Sequence, residues 1–97
     1  MSTDVDMAKK AIYDILDSRI KTVEAKLGAL KAKAATAKAN AEIKLVTDLL
    51  TKKQVIHQKL RELKKSGGEQ WEHTKADLEA RIADIENSVK GIESKSH

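Results

Sequence analysis

The sequence predicts an all-α protein in which a long helix and a short helix fold into an antiparallel coiled-coil hairpin. Of its 97 residues 35% are charged and only 2% are aromatic, with no proline, cysteine or phenylalanine, which is typical of long solvated helices. Ser66-Gly67-Gly68 contains the only adjacent pair of glycines and predicts one turn, in which Gly67 suits the left-handed position after the end of a helix. Apolar residues recur at helical spacing on both sides of that turn.

The predicted hairpin seam consists of apolar residues from both sides of the turn. They recur at heptad spacing, which is the pattern of helices that pack along a narrow line. An antiparallel fold about Gly67 sets Leu63 against Trp71 and Leu49 against Ile85, so apolar residues meet apolar residues. The seam residues are Leu45, Leu49, Ile56, Leu60, Leu63, Trp71, Leu78, Ile82, Ile85 and Val89.

The whole chain, residues 1–97, is predicted to be one helical domain whose first helix runs from about residue 4 to about residue 65. Thr3 is its expected N-cap, with acidic residues in the first turn. Residues 32–41 read AKAATAKANA, and alanine has the best helix propensity, so no residue here is expected to end the helix. The remaining predicted segments are a turn at 66–68, a helix at about 69–92 and a frayed tail at 93–97.

Such a long helix leaves an apolar stripe with no partner in its own chain, because the short helix covers only about residues 42–65. Exposing six large aliphatic side chains costs roughly 1.5 kcal/mol or more each. The sequence therefore predicts an antiparallel homodimer that crosses at the alanine-rich centre. The predicted self-association residues are Ile12, Leu16, Ile20, Val23, Leu27, Leu30, Ala34, Ala37 and Ala41. The alternative is a monomeric three-helix bundle that bends near residues 32–40.

The two arms of the hairpin carry opposite charge. Residues 33–66 have nine basic and three acidic side chains, whereas residues 67–97 have four basic and seven acidic ones. This distribution predicts charge matching across the seam. The alternative is that a basic face binds nucleic acid or an anionic membrane, although the chain has only two aromatic residues for base stacking. That face comprises Lys52, Lys53, Lys59, Arg61, Lys64 and Lys65.

Other side chains give no pattern of a catalytic, metal or cofactor site. His57 and His73 flank the turn, but a metal site normally needs three or four ligands and the chain has no cysteine to complete one. Trp71 is expected to cap the turn by packing on Leu63. We therefore expect a non-enzymatic structural or interaction protein without a cofactor. The N-terminus lacks the apolar core of a signal peptide and no apolar run reaches 18 residues, so we expect a cytoplasmic protein.

The segment from Lys59 to Lys90 resembles a widespread family of short bacterial coiled-coil proteins associated with stress responses. The matching features are Leu60-x-x-Leu63-Lys64, the Gly67-Gly68 break and Trp71-Glu72-x-x-Lys75. They cover about a third of the chain, and the preceding alanine- and lysine-rich helix is similar in character only. The resemblance implies a stress-associated cytoplasmic protein, with no defined reaction and no catalytic residues.

Overall fold

Three α-helices account for nearly all of residues 3–95, the part of the chain that the computed structural model describes. They are α1 (Thr3–Ala37), α2 (Asn40–Lys65) and α3 (Gly68–Lys95). No strand occurs among the described residues. The predicted all-α class is therefore confirmed.

The prediction of one continuous helix over residues 4–65 is wrong, because the chain turns at Lys38 and Ala39. The N–H of Lys38 donates to the carbonyl of Ala35 (3.2 Å), and the N–H of Ala39 donates to the carbonyl of Ala34 (2.9 Å). These two bonds form a Schellman motif, which closes a helix with one residue in the left-handed conformation. Lys38 takes that place with φ 56°, although glycine is the usual residue there.

Burial of the apolar stripe of α1 explains why the helix ends at Ala37, although the local sequence favours a helix that continues. Leu16, Ile20 and Leu27 are each at most 1% exposed within the single chain. Burying such a side chain contributes roughly 1.5–3 kcal/mol, whereas one left-handed non-glycine residue costs roughly 1–2 kcal/mol. The sum over the stripe exceeds the cost of the turn. The structure thus agrees with the alternative prediction, a three-helix bundle with a bend near residues 32–40.

The second turn lies at Ser66 and Gly67, as the glycine pair predicts. Ser66 is extended, and its N–H donates to the carbonyl of Leu63. The positive φ of 59° occurs at Gly68, and not at Gly67 where we expected the left-handed residue. Helix α3 also continues to Lys95, so the predicted end near residue 92 is wrong. Ser96 and His97, the end of the predicted frayed tail, lie outside the described residues.

The helices form an elongated bundle of 55 × 18 × 16 Å. Ion pairs from Lys52 to Asp84 and from Lys59 to Asp77 show that α2 and α3 run antiparallel, within two residues of the predicted register. Helix α1 lies antiparallel to α2, since Tyr13 contacts Lys64 and Glu24 contacts His57. It lies parallel to α3, since Tyr13 contacts Trp71 and Arg19 contacts Glu86.

One continuous cluster of apolar side chains, contributed by all three helices, forms the core along the bundle axis. Nine of the ten predicted seam residues are buried; the exception is Leu45, which is 50% exposed because the neighbouring Val46 takes the inward position. The predictions also missed Thr74, which is buried. The core consists of Leu16, Ile20, Val23, Leu27, Leu30, Val46, Leu49, Ile56, Leu60, Leu63, Trp71, Leu78, Ile82, Ile85, Val89 and Ile92.

Candidate interaction surfaces

An open groove of about 590 Å³ runs between α2 and α3 near the end of the bundle that carries the α1–α2 turn. Its apolar side chains are Leu45, Leu49 and Ile92, of which Leu45 is the one half exposed. We call this feature the α2–α3 groove, and its full lining is Leu45, Asp48, Leu49, Thr51, Lys52, Ser88, Gly91 and Ile92.

The α2–α3 groove exists because α3 presents small residues where α2 presents larger ones. Gly91 has no side chain, and an added Cβ atom would meet nothing within 4 Å. Ser88 is likewise short. Towards the middle of the bundle the ion pair between Lys52 and Asp84, at 3.6 Å, bridges the two helices. The groove therefore leaves Leu45 open to solvent beside the mostly buried Leu49 and Ile92.

An aromatic cluster ties the opposite end of the bundle together. The indole N–H of Trp71 donates to the hydroxyl of Tyr13 at 2.9 Å, and the two rings meet edge to face with centroids 6.5 Å apart. The ammonium group of Lys9 lies 4.9 Å from the Trp71 ring, and that of Lys64 lies 5.8 Å from the Tyr13 ring. Trp71 therefore joins α3 to α1, a role that the prediction of a simple cap on the turn missed.

A charged pair also connects α1 with α3. Arg19 donates from Nε and Nη2 to the two carboxylate oxygens of Glu86, at 3.1 and 2.5 Å. These hydrogen bonds hold the pKa of Glu86 below its ordinary value and raise the pKa of Arg19. Both side chains are about one third exposed. This bidentate geometry fixes the rotation of α1 relative to α3.

The carboxylate of Glu24 forms the corresponding link between α1 and α2. It accepts a hydrogen bond from Lys53 at 3.5 Å and lies 3.1 Å from Nε2 of His57. His57 faces Glu24, whereas His73, on the other side of the second turn, is exposed. Among the described residues, no three metal-binding side chains come together.

Most of the predicted basic face is engaged within the chain. Lys52, Lys53 and Lys59 pair with carboxylates of neighbouring helices. Lys64 lies over the Tyr13 ring. The charge matching across α2 and α3 that the sequence predicted is thus present at two points, and it reduces the positive charge available to a phosphate-bearing partner.

The predicted self-association residues divide into two groups. Those from Leu16 to Ala34 that form the stripe are buried inside the single chain, and Ile12 packs against the same core. Ala37 and Ala41 are exposed around the α1–α2 turn. The buried group therefore needs no second chain to cover it while the chain is folded in this form. Leu45, by contrast, is predicted to lie in the seam and instead provides exposed apolar surface.

No family model matches the chain, and no curated protein or solved structure matches it. None of the helices among residues 3–95 is both long enough and apolar enough to cross a membrane.

Proposed function

We propose that the protein is a non-enzymatic structural protein that acts by helix–helix association of the coiled-coil type, with a second copy of itself as the partner. The observation that carries the proposal is the half-exposed Leu45 at the α2–α3 groove. Large aliphatic residues gain free energy when another surface covers them. Leu49 and Ile92 give the groove an apolar lining beside Leu45.

Charge complementarity supports a second copy as the partner. The region of α2 is rich in lysine, and α3 carries more acidic than basic side chains. In a two-fold dimer that sets α2 of one chain against α3 of the other, every such contact between unlike charges occurs twice. At the rim of the groove, Asp48 carries a negative charge, while the ammonium group of Lys52 is paired with Asp84 of the same chain.

The resemblance of residues 59–90 extends this proposal to a stress-associated role in the cytoplasm. An increase in the amount of the protein after heat, osmotic or oxidative stress, measured by immunoblot of fractionated cells, supports that part. Constant abundance under all three treatments contradicts it.

Sedimentation equilibrium of wild type, Leu45→Glu and Thr47→Glu tests the association. Leu45→Glu places a charge at the groove, whereas the exposed Thr47 lies on a different side of α2. We expect wild type and Thr47→Glu to dimerise and Leu45→Glu to dimerise more weakly. A wild-type chain that stays monomeric at several hundred micromolar refutes the proposal. A parallel titration with duplex DNA and anionic vesicles at physiological salt tests the alternative, which submicromolar binding would favour.

A further inference from the structure

Resting on the proposed self-association, we propose that the two copies associate by exchanging α1, with residues 3–65 becoming one continuous helix in each chain. In this exchanged dimer α1 of one chain packs on α2 and α3 of the other. Lys38 and Ala39 form the hinge. The partner's α1 therefore occupies the position that the chain's own α1 occupies in the single-chain bundle, and the α2–α3 groove with Leu45 lies where the two copies meet.

The hinge carries residues that suit a continuous helix better than the turn they form. Lys38 adopts φ 56°, which glycine, asparagine or aspartate tolerates better than lysine does. Ala39 precedes α2 at the N-cap position and makes no side-chain hydrogen bond to the helix. Neither residue is favoured where it stands, and both favour a helix interior.

The α2–α3 turn differs from the α1–α2 turn in this respect. There, the residue with positive φ is Gly68, preceded by Gly67, so the sequence is suited to the turn. At the α1–α2 turn the neighbouring residues are mostly alanine and lysine. Of the two turns, only the α1–α2 turn thus has a sequence that favours a continuous helix.

Exchange of α1 retains the core contacts, so it costs little free energy of burial. The stripe on α1 meets the same side chains of α2 and α3 whether they belong to its own chain or to the partner, so little burial is lost. Straightening also adds helical hydrogen bonds across the hinge. It brings Ala34, Ala37, Ala41 and Leu45 onto one continuing face, at helical spacing. The half-exposed Leu45 and the exposed alanines then lie near the two-fold axis, where a second chain covers them.

Two spin labels in one chain distinguish the exchanged dimer from the folded monomer. The chain has no cysteine, so Ala25→Cys and Gln58→Cys give specific attachment at two exposed positions. In the single-chain bundle these positions lie side by side, because the adjacent Glu24 and His57 are in contact. In a continuous helix these positions are 33 residues apart in sequence and therefore about 50 Å apart in space, at 1.5 Å per residue.

The doubly labelled chain is refolded from urea with a large excess of unlabelled wild type, at high and at low concentration, because exchange requires α1 to leave its own bundle. Labels then report only distances within one chain. We expect a population near 50 Å in the dimer fraction and only short distances in the monomer fraction. A dimer that shows only the short distance overturns the exchange and leaves the proposed self-association standing. A chain that never dimerises overturns both.

Variants of Lys38 and Ala39 test whether the hinge residues drive the exchange. Lys38→Gly relieves the left-handed conformation and weakens the continuous helix, and Ala39→Asp supplies an N-cap for α2. We expect each to reduce the dimerisation constant by about tenfold or more, since each changes the balance in both chains. The control is Lys31→Gly, an exposed position that is helical in both forms, which should lower stability without shifting the dimer. Equal dimerisation of Lys38→Gly, Ala39→Asp and Lys31→Gly overturns the hinge mechanism.

Discussion

The indole N–H of Trp71 donates a hydrogen bond of 2.9 Å to the hydroxyl of Tyr13, across 58 positions of sequence. Trp71 is 6% exposed, so water has little access to that N–H group. The bond therefore connects the first turns of α3 to α1 and closes the end of the bundle opposite the hinge. Because it links the two helices that are farthest apart in sequence, it reports directly on docking of α1.

Tyr13→Phe removes this acceptor while keeping the ring. We expect a loss of about 1–2 kcal/mol in the free energy of unfolding, because the buried indole N–H is left without a partner. Urea unfolding followed by tryptophan fluorescence and by circular dichroism measures it.

Trp71→Phe and the double variant complete a cycle with Tyr13→Phe. If the hydrogen bond accounts for the loss of stability in Tyr13→Phe, the double variant loses less stability than the sum of the two single variants. Strict additivity contradicts the assignment.

The ion pair between Arg19 and Glu86 predicts a pH dependence of stability. The pKa of Glu86 is lowered in the folded chain, so its stabilising effect is present above the unfolded pKa of about 4.3 and is lost as the pH falls through the lower folded value. The pair is partly exposed, so we expect Glu86→Gln to lose at most about 1 kcal/mol at pH 7.

Urea unfolding at several pH values checks that prediction. The difference between wild type and Glu86→Gln should shrink below about pH 4.3. Glu72→Gln, which changes an exposed carboxylate of the same helix, provides the control. If the difference in unfolding free energy between wild type and Glu86→Gln stays constant from pH 7 to pH 3, the charge of Glu86 has no stabilising role.

The sequence contains enough local information to predict the α2–α3 pairing but not the α1–α2 turn. Two heptad stripes and the Gly67-Gly68 pair agree with one another, and nine of ten seam residues are buried accordingly. At Lys38 the local signal favours a helix, and the opposing free energy comes from burying residues up to 22 positions away, such as Leu16. Long-range burial of this kind has no signature at the turn itself.

The aromatic cluster and the α2–α3 groove were missed for different reasons. Tyr13 lies beside the α1 stripe and not on it, but a buried tryptophan usually needs an acceptor for its N–H group, and Tyr13 is the only tyrosine. The groove depends on the rotation of α2, which turns Val46 inward and Leu45 outward. Adjacent apolar residues at the start of a helix leave that rotation undetermined by spacing alone.

Gly28→Ala should stabilise the folded chain. Gly28 lies within α1, and a Cβ atom built on it meets nothing within 4 Å. Alanine is favoured over glycine in a helix interior by about 0.8–1 kcal/mol. Urea unfolding should show a gain of about that size, and an unchanged or lower stability contradicts the open position of Gly28.

The two adjacent glycines of the second turn should respond differently to alanine. Gly68 has φ 59°, whereas no positive φ occurs at Gly67, and neither position has a neighbouring atom within 4 Å of an added Cβ. Gly68→Ala therefore meets only backbone strain and should cost roughly 1–2 kcal/mol. Gly67→Ala should be neutral or stabilise by up to about 1 kcal/mol, because alanine reduces the freedom of the unfolded chain. Equilibrium unfolding of both variants under one set of conditions compares them. Equal effects at the two positions contradict the assignment of the left-handed residue to Gly68, and a larger loss for Gly67→Ala indicates that the left-handed residue is Gly67, as the sequence pattern predicted.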